Sequence, residues 1–74
     1  MEIRLIDIEG KTLARVDDGG FISVRFANGS IKKKQVKYVE DGEFSIDGIA
    51  YDGATYARVL NNISAEIIGG EDGR

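Results

Sequence analysis

Glycine-centred turn signals recur through the first fifty residues, at Gly10, Gly19, Gly29 and Gly42, with apolar residues alternating between them. Turns at roughly 8–12-residue spacing, separated by period-two apolar runs, predict an up-and-down antiparallel meander. The fullest example is Phe21 to Tyr38, read as a β-hairpin. Ile22, Val24 and Phe26 fall on one face of its first arm, and Ser23, Arg25 and Ala27 on the other. Asn28-Gly29 closes it as a type I′ turn, whose two central residues need positive φ. Phe26 then opposes Ile31, but Val24 opposes Lys33, Ile22 opposes Gln35 and Ser23 opposes Lys34. Val36 and Tyr38 have the opposite parity to Ile31. A bulge among Lys32 to Gln35 is expected to reconcile them, because it adds one residue to one strand.

The same reasoning extends in both directions. Met1 to Ile8 is apolar on both faces, which predicts a strand that is sandwiched or bulged where the parity changes. A Gly10-Lys11 turn of type II′ would set Ile8 against Leu13 and Leu5 against Val16. An Asp18-Gly19 turn would set Val16 against Phe21 and Leu13 against Val24. Glu40-Asp41-Gly42 reads as a three-residue loop with Gly42 left-handed, pairing Tyr38 with Phe44 and Val36 with Ile46. Asp47-Gly48 interrupts the alternation as a bulge or bend.

The period then changes. Tyr56, Val59, Leu60 and Ile63 recur at helical spacing behind Asp52, a good N-cap, so a short helix is expected at about 53–62. Asn61 and Asn62 end it, and Ser64 to Ile68 either extend the helix or form a final strand, the strand being favoured because Asn-Asn followed by Ile-Ser reads as a break. The expected fold is mainly β (α+β): an antiparallel five- to six-stranded meander, as a curled sheet or small open barrel with one C-terminal helix. Residues 1–68 form the domain, and 69–74 a flexible tail.

Seventy-four residues hold one core, and a core of this size supplies only about 3–5 kcal/mol. With no Cys and no His, disulfides and thiolate or imidazole zinc sites are excluded. A well-packed monomer or an oligomer remains, and a homodimer is the expectation. No cofactor, metal or membrane contact is implied, and the cysteine-free composition suits a cytoplasmic location.

Net charge is only −3, but its distribution is uneven. Residues 21–39 carry Arg25, Lys32, Lys33, Lys34 and Lys37 and no acid, whereas 40–52 carry Glu40, Asp41, Glu43, Asp47 and Asp52 and no base. Such a switch predicts a bipolar surface. The serines lie in strands, at a turn or at a helix end with no elbow motif, and the carboxylate spacing does not match a calcium loop. A metal- or carboxylate-dependent enzyme is therefore the third reading. Ahead of it stands a nucleic-acid module, with the basic residues of the 25–37 hairpin on phosphates and Tyr38 or Phe26 stacked on bases. The leading expectation is a small non-catalytic, self-associating interaction protein, inhibitor- or regulator-like as in proteins of mobile elements. It would bind another macromolecule through its basic arm or through the acidic surface of Glu40, Asp41, Glu43 and Asp47.

Overall fold

The computed structural model describes residues 2–7 and 9–71. Met1, Ile8 with its expected partnership to Leu13, and residues 72–74 of the expected tail lie outside them. The chain runs β1 (Glu2–Ile6), β2 (Thr12–Asp17), β3 (Phe21–Arg25), β4 (Ile31–Glu40), β5 (Glu43–Ile46), β6 (Ile49–Asp52), α1 (Gly53–Asn62) and β7 (Glu66–Glu71). The fold is mainly β with one short helix, as the periodicity predicts. Its strands form a two-stranded sheet, β1-β2, and a five-stranded sheet ordered β6-β5-β4-β3-β7; neither closes into a barrel.

The departures from the expected meander lie in the turns. The β1–β2 register places Ile3 against Val16 and Leu5 against Ala14, with a shift between Leu5 and Ile6 where the apolar parity changes. The two-residue Gly10-Lys11 turn does not form. Instead the Asp7 carboxylate accepts the N–H groups of Glu9 and Lys11, and Gly10 is left-handed. Such a side-chain-closed loop is open to Asp and lengthens the connection. After β2 the meander breaks. Gly20 donates to the carbonyl of Asp17, so the turn is made, but β2 and β3 belong to different sheets. The Val16–Phe21 and Leu13–Val24 pairs are therefore not formed.

Asn28-Gly29 is not a type I′ turn. Only Gly29 has positive φ, Gly29 donates to the Phe26 carbonyl and Phe26 to that of Ser30, so the loop is three residues long with a glycine bulge. The additional residue sits there, and Lys32 to Gln35 run without the expected bulge: Val24 faces Lys32, Ser23 faces Lys33, Ile22 faces Lys34 and Phe21 faces Gln35. Gly42 is left-handed and the Tyr38–Phe44 and Val36–Ile46 pairs form as expected. Glu40 pairs with Glu43, however, so the loop is the two residues Asp41-Gly42 rather than three, and the additional residue is taken up in the register shift between Tyr38 and Glu40. Positive φ at two adjacent central residues occurs instead at Asp47-Gly48, which turns β5 tightly into β6 with Ile46 facing Ile49.

Helix α1 spans the expected residues. It ends with Ser64 left-handed, Ser64 N–H on the Asn61 carbonyl and Ala65 N–H on that of Leu60, the Schellman pattern. Ile63 is thereby turned out of the apolar stripe and exposed, while Tyr56 and Leu60 are buried. The chain then adds β7 to β3, so strand continues through Gly69 and Gly70 to Glu71, where a tail was expected from residue 69.

One face of the five-stranded sheet, with Ile22, Val24, Val36, Phe44 and Ile46, is covered by Ile3, Leu5 and Val16 of the small sheet and by Tyr56 and Leu60 of α1. Phe44, Tyr51 and Tyr56 form an aromatic group with centroids 5.1–6.4 Å apart, and burial pushes the Tyr56 hydroxyl up to about 12. The two sheets meet where β2 passes over Gly70, at which a Cβ would lie 3.2 Å from the Arg15 carbonyl oxygen. α1 contacts both β1 and β6 and spans the opposite gap.

Asp52 accepts the Thr55 N–H at 2.7 Å as the N-cap. That backbone bond, then the Thr55 side chain and Arg58, hold its carboxyl below the ordinary aspartate value against a smaller desolvation effect. A depressed carboxyl stabilises the fold above its unfolded pKa and loses that contribution as pH falls through the folded value. Asp52→Ala is expected to lower the melting temperature at pH 7. Melts of variant and parent should converge as pH drops below about 4.

Candidate functional site: the projecting half of β4

β4 has ten residues and β5 only four, and the last β4–β5 pair is Val36 with Ile46. Past that pair the Asp47-Gly48 turn carries β5 away. Ile31 to Gln35 therefore continue beyond β5 with β3 as their strand neighbour. Three of the five residues in this projecting half are lysines.

Their faces follow from the register. Lys32 and Lys34 oppose Val24 and Ile22 and so share the core side of the sheet, at its margin; Arg25, Lys33 and Lys37 share the outer side. Lys34 Nζ lies 2.7 Å from Asp47 Oδ2, Lys32 Nζ stands 5.9 Å from the centre of the Phe26 ring, and Arg25 is ion-paired with Glu66 of β7. The basic residues predicted as one ribbon are thus divided between two faces. Ser23 opposes Lys33 rather than Lys34. Tyr38 opposes Phe44 on the core side, away from Lys33 and Lys37. Partial desolvation, then the Asp41 carboxylate 3.5 Å from its hydroxyl, raise its pKa.

The acidic segment also divides. Glu40 opposes Glu43, and Asp52 opposes Glu43 from the other side. A hydrogen bond with Glu40 and the charge of Glu40 raise the Glu43 carboxyl. Their mutual repulsion opposes folding at neutral pH and is relieved as pH falls through that raised value. Asp41 joins them at the β4–β5 turn, whereas Asp47 sits at the opposite end of β5, on Lys34. No group of three metal-ligating side chains occurs among the described residues.

Sequence reasoning missed the projection itself. Its signal was present: the stretch between the turns at Gly29 and Gly42 is about twice that between Gly42 and Gly48, so one strand had to outrun its neighbour. A groove of about 400 Å³ also runs between α1 and β7, with Leu13, Ala57 and Ile67 at its floor and Arg58, Lys11 and Glu9 at its rim. Its mixed charges favour no class of ligand.

No helix among the described residues is long and apolar enough to cross a membrane. No protein-family model, no curated protein and no solved structure matches the chain.

Proposed function

We propose that this protein is a small non-catalytic binding module whose working surface is the lysine-bearing β3–β4 hairpin and whose partner is another protein. The observation that carries the reading is the projection of Ile31 to Gln35 beyond β5, with cations on both sides of a single strand. A nucleic-acid strand laid on the outer face would meet Arg25, Lys33 and Lys37, of which Arg25 is already engaged by Glu66. On the core side Lys34 is engaged by Asp47. Phosphate binding draws on several cations gathered along one path, and this arrangement divides them. The absence of His and Cys supports a non-catalytic role and, with a reducing compartment, cytoplasmic residence. The homodimer expected from the sequence would need a surface other than the β4 edge, since a second copy docked there sets lysines against lysines.

Binding to poly-L-glutamate and to single- and double-stranded 20-mer oligonucleotides, followed across a salt series, tests this. Poly-L-glutamate is expected to bind at low salt and more tightly than either oligonucleotide. The triple variant Lys32→Glu, Lys33→Glu, Lys34→Glu should lose that binding while keeping the parent's circular dichroism. Tighter binding to an oligonucleotide, with a steep salt slope, would replace this reading with the nucleic-acid one.

A further inference from the structure

We infer that the projecting half of β4 is a docking edge for an extended acidic segment of a partner protein, which adds to the five-stranded sheet as a strand beside Ile31 to Gln35. This rests on the binding-module reading and specifies its partner and mode. The direction of the backbone groups follows from two hydrogen bonds: Phe26 donates to the Ser30 carbonyl, and Val36 donates to the Gly20 carbonyl. In an antiparallel ladder the groups of alternate residues point to the same side. Even-numbered positions of β4 thus turn toward β3, and the N–H and C=O groups of Ile31 turn toward the side that β5 has left; those of Gln35 turn the same way but lie opposite Asp47, where the β4–β5 ladder ends. The ladder from Val36 onward confirms the parity, because Tyr38 N–H, on the β3 side, is taken by the Asp18 carboxylate at 2.8 Å.

Five residues of strand span about 17 Å, an ordinary strand length. An extended peptide there would gain main-chain hydrogen bonds, as in other strand-addition complexes. Charge selects the occupant. Lys32 and Lys34, the latter shared with Asp47, lie on one side of the sheet and Lys33 on the other, so the three residues of an added strand beside them, which alternate between faces, each lie near a cation. Consecutive acids fit this better than an alternating pattern does. Ile31, 56% exposed, offers an apolar neighbour at the end of the run. A second copy of this chain is disfavoured, because antiparallel self-pairing about Lys33 sets Lys33 against Lys33 and Lys32 against Lys34.

The experiment uses three fluorescently labelled probes and the whole protein. One is a ten-residue peptide of Glu and Asp with a single Ile; the second is the same peptide N-methylated at alternate amides; the third is a single-stranded oligonucleotide of equal charge. The unmodified peptide is expected to bind, with new solvent-exchange protection at the Ile31 amide. Methylation, which removes two or three net hydrogen bonds without touching charge, should weaken it roughly thirtyfold or more. Equal binding of both peptides would overturn strand addition while leaving the binding-module reading intact. Failure of both peptides at low salt, or tighter binding of the oligonucleotide, would overturn the inference together with the protein-partner reading.

Discussion

Gly53→Ala is expected to unfold or severely destabilise this protein, although alanine is the better helix former by about 1 kcal/mol. Gly53 is the first residue of α1 and has no positive φ, so the effect is purely steric. A Cβ at this position would lie 2.2 Å from the Ile6 carbonyl oxygen and 2.7 Å from the Ile6 nitrogen, both backbone atoms of β1. No side-chain rotation relieves that. Either α1 or β1 must move, and these two elements carry Tyr56, Leu60, Ile3 and Leu5 onto the sheet. Overpacking of this kind costs about 1–3 kcal/mol or more. That is comparable with the whole stability of about 3–5 kcal/mol available to a core this small. Gly69→Ala is the control: its Cβ meets nothing within 4 Å and its φ is not positive. Urea melts followed by circular dichroism should show Gly69→Ala within about 1 kcal/mol of the parent and Gly53→Ala without a folded baseline. A Gly53→Ala protein as stable as the parent would mean that helix propensity outweighs the β1–α1 contact.

The second large effect is expected at Phe44. Its side chain is 2% exposed, meets the Tyr56 ring edge-on at 5.9 Å and stacks obliquely on Tyr51 at 6.4 Å. Phe44→Ala removes a ring from the centre of a two-layer core, and such truncations cost about 3–5 kcal/mol through lost transfer energy and the cavity left behind. The expected result is a chain with no cooperative thermal transition. Ile31→Ala removes a side chain of similar volume from the exposed end of β4 and should shift stability by no more than about 0.5 kcal/mol. The contrast separates burial from hydrophobicity, since both residues are large and apolar and only one is enclosed.

These two sites show what was legible in the sequence. The helix was readable because Asp52 and the Tyr56–Leu60 spacing are local signals, and the β4–β5 register because the turn at Gly42 fixes it. The departure of β2 from β3 was not readable. A turn closed by Gly20 N–H on the Asp17 carbonyl is compatible with a hairpin or with a corner between sheets, and distant packing against β7 decides. At Asn28-Gly29 the residue types suit both a two-residue and a three-residue loop, and the longer one moved every cross-strand partner of β4 by one position. The division of the lysines follows from the same shift. Period two already separated Lys33 from Lys32 and Lys34, but which face looked inward depended on where the additional residue lay.

The pairing of β7 with β3 sets the order in which the protein can be assembled. Residues joined across these two strands, such as Arg25 and Glu66, are 41 positions apart in the chain. The hairpins β1–β2, β3–β4, β4–β5 and β5–β6 close over short loops and can form while synthesis continues, whereas the seam at Gly70 cannot. Until residue 71 has emerged from the ribosome, Ile22 and Val24 border a raw strand edge. The nascent chain at that stage is at its most adhesive, with the lysines of β4 as the nearest deterrent to its neighbours.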